Sequence, residues 1–327
     1  MSSSRSKPVF QSPLAPLMVE FVRERRAIGY RYEKGAAVLM RFDRFLAREA
    51  PHDDTLSRSA TRKWLAKGPH ESGGTQQARL GVVRQFAQFL CRLGHPAYVP
   101  DGSLAAKYDR AFPPRVLTHA EVARLLREAD GLTPTAYSPH RHLVMPEVFR
   151  LLYGCGLRVG EVVKLRVADV DLDRGVLTVR DGKFGKDRLV PPALPLVMRL
   201  RSYHAAMGAR PDQAIFFPSK HDGPYLTDSI YILFRELLHR SGIPHGGKGK
   251  GPRLHDLRHT FAVHALLRWY REGADLNAKL PVLATYMGHR SVEGTQRYLH
   301  LTAELFPEVT SRSDAAFGGV IPRRAQS

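Results

Sequence analysis

From Leu14 to Leu90 the apolar residues recur at spacings of three and four, and no stretch alternates as a strand would. Leu14, Leu17, Met18, Phe21 and Val22 line one helix face, and Val38, Leu39, Phe42, Phe45 and Leu46 line a second. Trp64 and Leu65 mark a short third helix. Leu80, Val83, Phe86, Ala87 and Leu90 mark a fourth, which stops at Gly94-His95-Pro96. This pattern restricts residues 13–96 to an all-helical domain. The Ser-rich residues 1–12 read as a flexible arm. Residues 97–116 contain Pro100, Asp101-Gly102 and Pro113-Pro114, which break any helix, and read as a linker.

A different texture follows. Thr118-His119-Ala120-Glu121 is a capping box opening a helix to about Ala129. Another helix covers about 143–154. Val176-Leu177-Thr178-Val179-Arg180 and Arg188-Leu189-Val190 are β-rich and flank Asp181-Gly182, a hairpin signal. Helices are expected again at about 193–207, 227–241, 256–271 and 278–287. The fold class is therefore mainly α with a small β-hairpin or sheet.

Charge narrows the function. Lys and Arg number 50 against 31 Asp and Glu, a net charge of +19. It divides as +9 over residues 1–112 and +10 over the remainder, so both parts suit one polyanionic partner, nucleic acid foremost. No run of about 18 apolar residues suggests a membrane span. The first residues lack the apolar core of a secretory signal. Cys91 and Cys155 are too few for a disulfide framework or a zinc finger, so a cytoplasmic setting is expected.

Four clusters carry chemistry. In Gly156-Leu157-Arg158-Val159-Gly160-Glu161, Arg158 is either a plain turn residue or a fork for two phosphate oxygens, with Glu161 fixing it or capping the next helix. In the hairpin segment, Lys183, Lys186 and Arg188 are a solvated tip or cations for DNA, and a lysine there could protonate a leaving alkoxide. In Leu254-His255-Asp256-Leu257-Arg258-His259-Thr260, His255 and Arg258 share a helix face and could hold a charged phosphate. His255 and His259 also have the i, i+4 spacing of zinc ligands, but Asp256 replaces the expected Glu and no further ligand set is evident. Finally, Met287-Gly288-His289 precedes Tyr298, either a core tyrosine or a nucleophile for phosphorus. Lys248 and Lys250 lie in a Gly-rich cationic stretch without the spacing of a nucleotide-phosphate loop.

In this order, Arg158, Lys183, His255-x-x-Arg258, Gly288-His289 and Tyr298, with the strings GLRVGE and LHDLRHTFA, the chain resembles the tyrosine recombinases, or phage integrases. The resemblance covers about 117–302 as a mixed α+β catalytic domain and extends weakly to 13–96 as a SAM-like core-binding domain. It implies that Tyr298 is the nucleophile and that Arg158 and Arg258 hold the scissile phosphate. It implies Lys183 as general acid, with Lys186 as its competitor, His255 as an acid/base aid and His289 as a phosphate hydrogen-bond donor. Arg188, Lys186, Lys248 and Lys250 would contact DNA. The implied activity is site-specific recombination through a 3′-phosphotyrosyl bond and a Holliday junction, without ATP, metal or other cofactor. The expected partners are double-stranded DNA with a specific site and a homo-tetramer, possibly with sister recombinases, in the service of a mobile element. Residues 303–327 would dock on a neighbouring subunit. The alternatives are a non-cleaving DNA-binding accessory protein and a type IB topoisomerase.

Overall fold

The computed structural model describes residues 9–30, 32–105, 114–180, 187–247, 251–289, 291, 293–296 and 298. The chain divides into two compact units, Met1–Phe112 and Pro113–Ser327. No helix among the described residues is long and apolar enough to cross a membrane.

The first unit holds α1 (Ala15–Ala27), α2 (Glu33–Glu49), α3 (Arg58–Leu65) and α4 (Gly73–Arg92). Ser57 and Ser72 start α3 and α4 by accepting hydrogen bonds from the backbone N–H of Ala60 and Thr75. Met18, Phe21, Leu39, Phe42, Val83 and Phe86 are completely buried at the centre. The Phe21 ring lies 5.5 Å from Phe86 and 5.3 Å from Phe89, which joins α1 to α4.

Both flanks of this bundle are more ordered than their composition suggests. Buried Asp43 of α2 accepts from the backbone N–H of Gln11 (2.7 Å) and Ser12 (2.9 Å), and Phe10 is buried. The end of the stretch expected as an arm is thus tied down. At the other side, Ala97 bridges to Leu56, the Tyr98 N–H donates to the Leu56 carbonyl, and Leu104 and Ala105 join the core. Residues 97–105, expected as linker, belong to the first unit. These contacts use isolated apolar residues and backbone groups, which leave no periodic trace.

The second unit holds α5 (His119–Asp130), α6 (Arg141–Gly154), α7 (Val159–Val162), β1 (Val170–Asp171), β2 (Val176–Val179), β3 (Arg188–Val190), α8 (Leu194–Met207), α9 (Thr227–Arg240), α10 (Asp256–Arg271), α11 (Leu276–Met287) and α12 (Glu293–Gln296). The Thr118–Glu121 capping box forms with both hydrogen bonds in place. Helix α6 is buried nearly all round and packs against α5, α7, α8 and α10. It is the hub that brings the later helices together.

The sheet is antiparallel in the order β1-β2-β3, with Leu177 opposite Val190 and Val179 opposite Arg188. Leu177, Val179 and Val190 point into the core while Leu189 faces out. Strand β1 has only two residues, too short to show alternation in the sequence.

Candidate active site

The site gathers around the C-terminus of α11. A helix end leaves its last carbonyls without intrahelical partners and carries partial negative charge. Here three consecutive carbonyls each receive one guanidinium. Tyr286 O accepts from Arg188 Nε (3.0 Å), Met287 O from Arg258 Nη2 (2.6 Å), and Gly288 O from Arg158 Nη2 (3.1 Å). Gly288 ends the helix in the left-handed conformation, φ +68°. It also has no side chain where one would collide, since a Cβ there would lie 2.9 Å from Arg188 Nη1.

Arg258 sits on the first turn of α10 and is 1% exposed. It also donates to the carbonyl of Gly156, the residue that turns the chain between α6 and α7. Gly156 has φ +59°, and a Cβ there would sit 2.5 Å from the Phe261 ring. Burial first, then the nearby Arg158 charge, push the Arg258 pKa down to about 10, so it remains cationic at neutral pH.

Arg158 precedes α7. Its backbone N–H donates to Glu161 Oε2 (2.9 Å) and its Nη1 to Glu161 Oε1 (2.7 Å). Glu161 therefore both caps the helix and fixes the arginine. Arg188 reaches the same carboxylate from β3, at 3.1 and 2.9 Å. Burial alone would raise the Glu161 pKa, but hydrogen bonds from Arg188 and Arg158 prevail and hold it down at about 2.

His255 lies just before α10. The surrounding protein and then the Arg258 and Arg158 charges push its pKa down to about 4, which leaves a neutral imidazole. The residue itself is exposed to solvent. Asp256 is fully buried and accepts from the Arg253 backbone (2.9 Å) and guanidinium (2.9 Å), closing the turn before the helix.

His259, one turn after His255, shares a 2.9 Å hydrogen bond through Nδ1 with the Tyr298 hydroxyl. Tyr298 is 1% exposed, with its ring 6.1 Å from that of His289. His289 Nδ1 is held at 2.7 Å by Thr295 Oγ1 of α12. No group of three or more His, Cys, Asp or Glu placed to hold a metal occurs among the described residues.

The fold thus brings Arg158, His255, Arg258, His289 and Tyr298 to one end of α10 and α11. Lys183, Lys186, Lys248 and Lys250 lie outside the described residues. Arg188, expected at the DNA surface, has a side chain only 10% exposed and turned inward onto Glu161. The sequence marks no role in this site for His259, whose zinc-like spacing lacks a ligand set, nor for Thr295. The i, i+4 spacing of His255 and His259 was the one visible signal for the former.

The sequence pattern of the phage integrase family matches residues 115–304. The protein y4rB of Sinorhizobium fredii, named among integrases/recombinases, is 33% identical over 305 residues, covering 90% of this chain and 94% of that protein. Tyrosine recombinase XerD of Ralstonia nicotianae is 31% identical over 267 residues, covering 80% of this chain and 74% of that protein. The fold matches that of the XerH site-specific recombinase bound to palindromic difH substrate in a post-cleavage complex, with a TM-score of 0.63 and 18% identity over 92% of this chain and 84% of that one. It also matches the Tn1549 transposon integrase in complex with transposon right end DNA, with a TM-score of 0.61 and 18% identity over 93% and 98% of the two chains.

The architecture is that of the tyrosine recombinases, enzymes that break and rejoin DNA strands. This chain belongs to the phage integrase family.

Proposed function

We propose that the protein recombines DNA at a specific duplex site, using Tyr298 as nucleophile. The observation that carries this reading is the set of arginine contacts at the end of α11. Arg158 and Arg258 are anchored on the adjacent carbonyls of Gly288 and Met287, which aligns two cations for the non-bridging oxygens of one phosphate.

In the proposed step, the Tyr298 oxygen attacks phosphorus and the bond to the 5′-oxygen breaks. The result is a 3′-phosphotyrosyl bond and a free 5′-hydroxyl. Lys183 supplies the proton to the leaving oxygen, with Lys186 as its competitor for that role. His255 is neutral near pH 7 and thus able to accept a proton, while His289, steadied by Thr295, donates to a phosphate oxygen. The phosphoester energy is kept in the protein–DNA bond, so rejoining needs no external energy source. Exchange of strands in pairs then passes through a Holliday junction.

The excess positive charge on both parts of the chain supports binding of duplex DNA, with Lys248 and Lys250 among the cations. We infer a homo-tetramer on two DNA sites, possibly with sister recombinases, with residues 303–327 docking on a neighbour. The setting is the cytoplasm, and the user a mobile element.

The test is a denaturing gel of wild type and Tyr298→Phe incubated with nicked duplexes from DNA flanking the gene. A covalent adduct with wild type alone is expected. Tight binding without an adduct on any fragment would overturn the reading.

A further inference from the structure

We propose that Arg188 is a positioning residue of the active site, which shares the charge of Glu161 so that Arg158 stays available to a phosphate. This rests on the proposed strand-cleavage function. Arg188 belongs to β3 and lies outside the turn and helix motifs that mark the site in the sequence. All three of its guanidinium nitrogens are engaged: Nε with the Tyr286 carbonyl, Nη1 and Nη2 with Glu161. Its side chain is 10% exposed and directed at Glu161 rather than outward, unlike a cation at a DNA surface.

Its chemistry is legible from the charge count. Arg158, Arg188 and Arg258 against Glu161 leave a net charge of +2 around the α11 terminus. Without Arg188, the Glu161 carboxylate faces Arg158 alone. A guanidinium paired one-to-one with a carboxylate is nearly neutral to a third group. Its donors are also drawn toward the carboxylate and away from an incoming phosphate. Arg188 shares that pull while keeping Glu161 ionised, in line with the low pKa of the carboxyl. It also packs directly against Gly288, so the turn that carries His289 is shaped around its guanidinium.

Full-length wild type, Arg188→Met, Arg188→Lys, Glu161→Gln and the double variant Arg188→Met/Glu161→Gln would be compared on one nicked duplex. Single-turnover adduct formation and DNA affinity across a salt series are the two readouts. Arg188→Met is expected to slow the adduct about 10- to 100-fold, up to the scale on which misplacing a catalytic group by about 1 Å acts. Affinity and its salt dependence should stay at the wild-type values. Arg188→Lys keeps the charge and should recover part of the rate, and it serves where the Met variant folds poorly. The double variant should be faster than Arg188→Met alone, because it removes the carboxylate left facing Arg158. A purely structural role predicts the opposite order.

The proposal is overturned by a wild-type rate in Arg188→Met, or by a double variant no faster than the single one. It is equally overturned by a salt slope reduced by about 0.9, the mark of one lost phosphate contact. Failure of the underlying function looks different: wild type itself forms no adduct.

Discussion

Replacing Gly156 by alanine tests how the site is built, because that residue meets two constraints at once. Its φ of +59° lies in the left-handed region, and an added Cβ would come within 2.5 Å of the Phe261 ring. The conformation costs an alanine about 1–2 kcal/mol. Pushing the ring aside costs about 1–3 kcal/mol, toward the lower end here because Phe261 is only partly buried. The sum is a loss of about 2–5 kcal/mol in the stability of the second unit. Urea unfolding read by tryptophan fluorescence can isolate that unit. The chain has two tryptophans, Trp64 in the first unit and Trp269 in the second, so a Trp64→Phe background leaves Trp269 as sole reporter. Adding Phe261→Ala to Gly156→Ala should relieve the steric part relative to Phe261→Ala alone and leave the conformational part. A Gly156→Ala loss below about 0.5 kcal/mol, the usual range of neutral surface changes, would refute the reasoning. Because the Gly156 carbonyl holds Arg258, the variant should also slow adduct formation.

His259→Phe keeps ring volume but removes the Nδ1 that pairs with the Tyr298 hydroxyl, a hydrogen bond worth about 0.5–1.5 kcal/mol. Adduct formation should slow by about 10-fold or more at unchanged DNA affinity, and an unchanged single-turnover rate would refute a role for this contact. Stability should also fall with acid. His264 is buried, hydrogen-bonded to the Tyr153 hydroxyl at 2.9 Å and stacked on His119; burial and then His119 push its pKa down to about 4. The unfolded chain then binds more protons than the folded one between about pH 4 and the ordinary histidine pKa near 6.5, so stability is full above that range and declines through it, by at most about 3 kcal/mol from this residue. In a urea series from pH 7 to 4, His264→Gln should flatten the decline in part, because His255 shares the direction. A decline as steep as wild type would refute the assignment.

The covalent order of the chain determined much of this protein. Helix faces in both units were legible because a 3.6-residue repeat is written into neighbouring positions, as at Leu80, Val83, Phe86, Ala87 and Leu90. The Thr118–Glu121 box and the β2–β3 pairing were equally local. The candidate residues Arg158, His255, Arg258, His289 and Tyr298 could be singled out because together, in that order, they resemble the motifs of the tyrosine recombinases.

Only tertiary structure decided how those residues are held. Arg188, Arg258 and Arg158 come from β3, α10 and the start of α7, yet they meet three successive carbonyls at the end of α11. No spacing encodes that meeting, because it depends on α6 packing its neighbours into place. Arg188 read as a surface cation because it follows a cationic hairpin, but its inward turn depends on a carboxylate 27 residues earlier in the chain. His259 has only a zinc-like spacing without a ligand set to mark it in the sequence, and its partner Tyr298 lies 39 residues later. Periodicity and caps arise from bonds between near neighbours and can be read along the chain. The electrostatic partners of a buried site are chosen by folding, which places together charges that the sequence keeps apart.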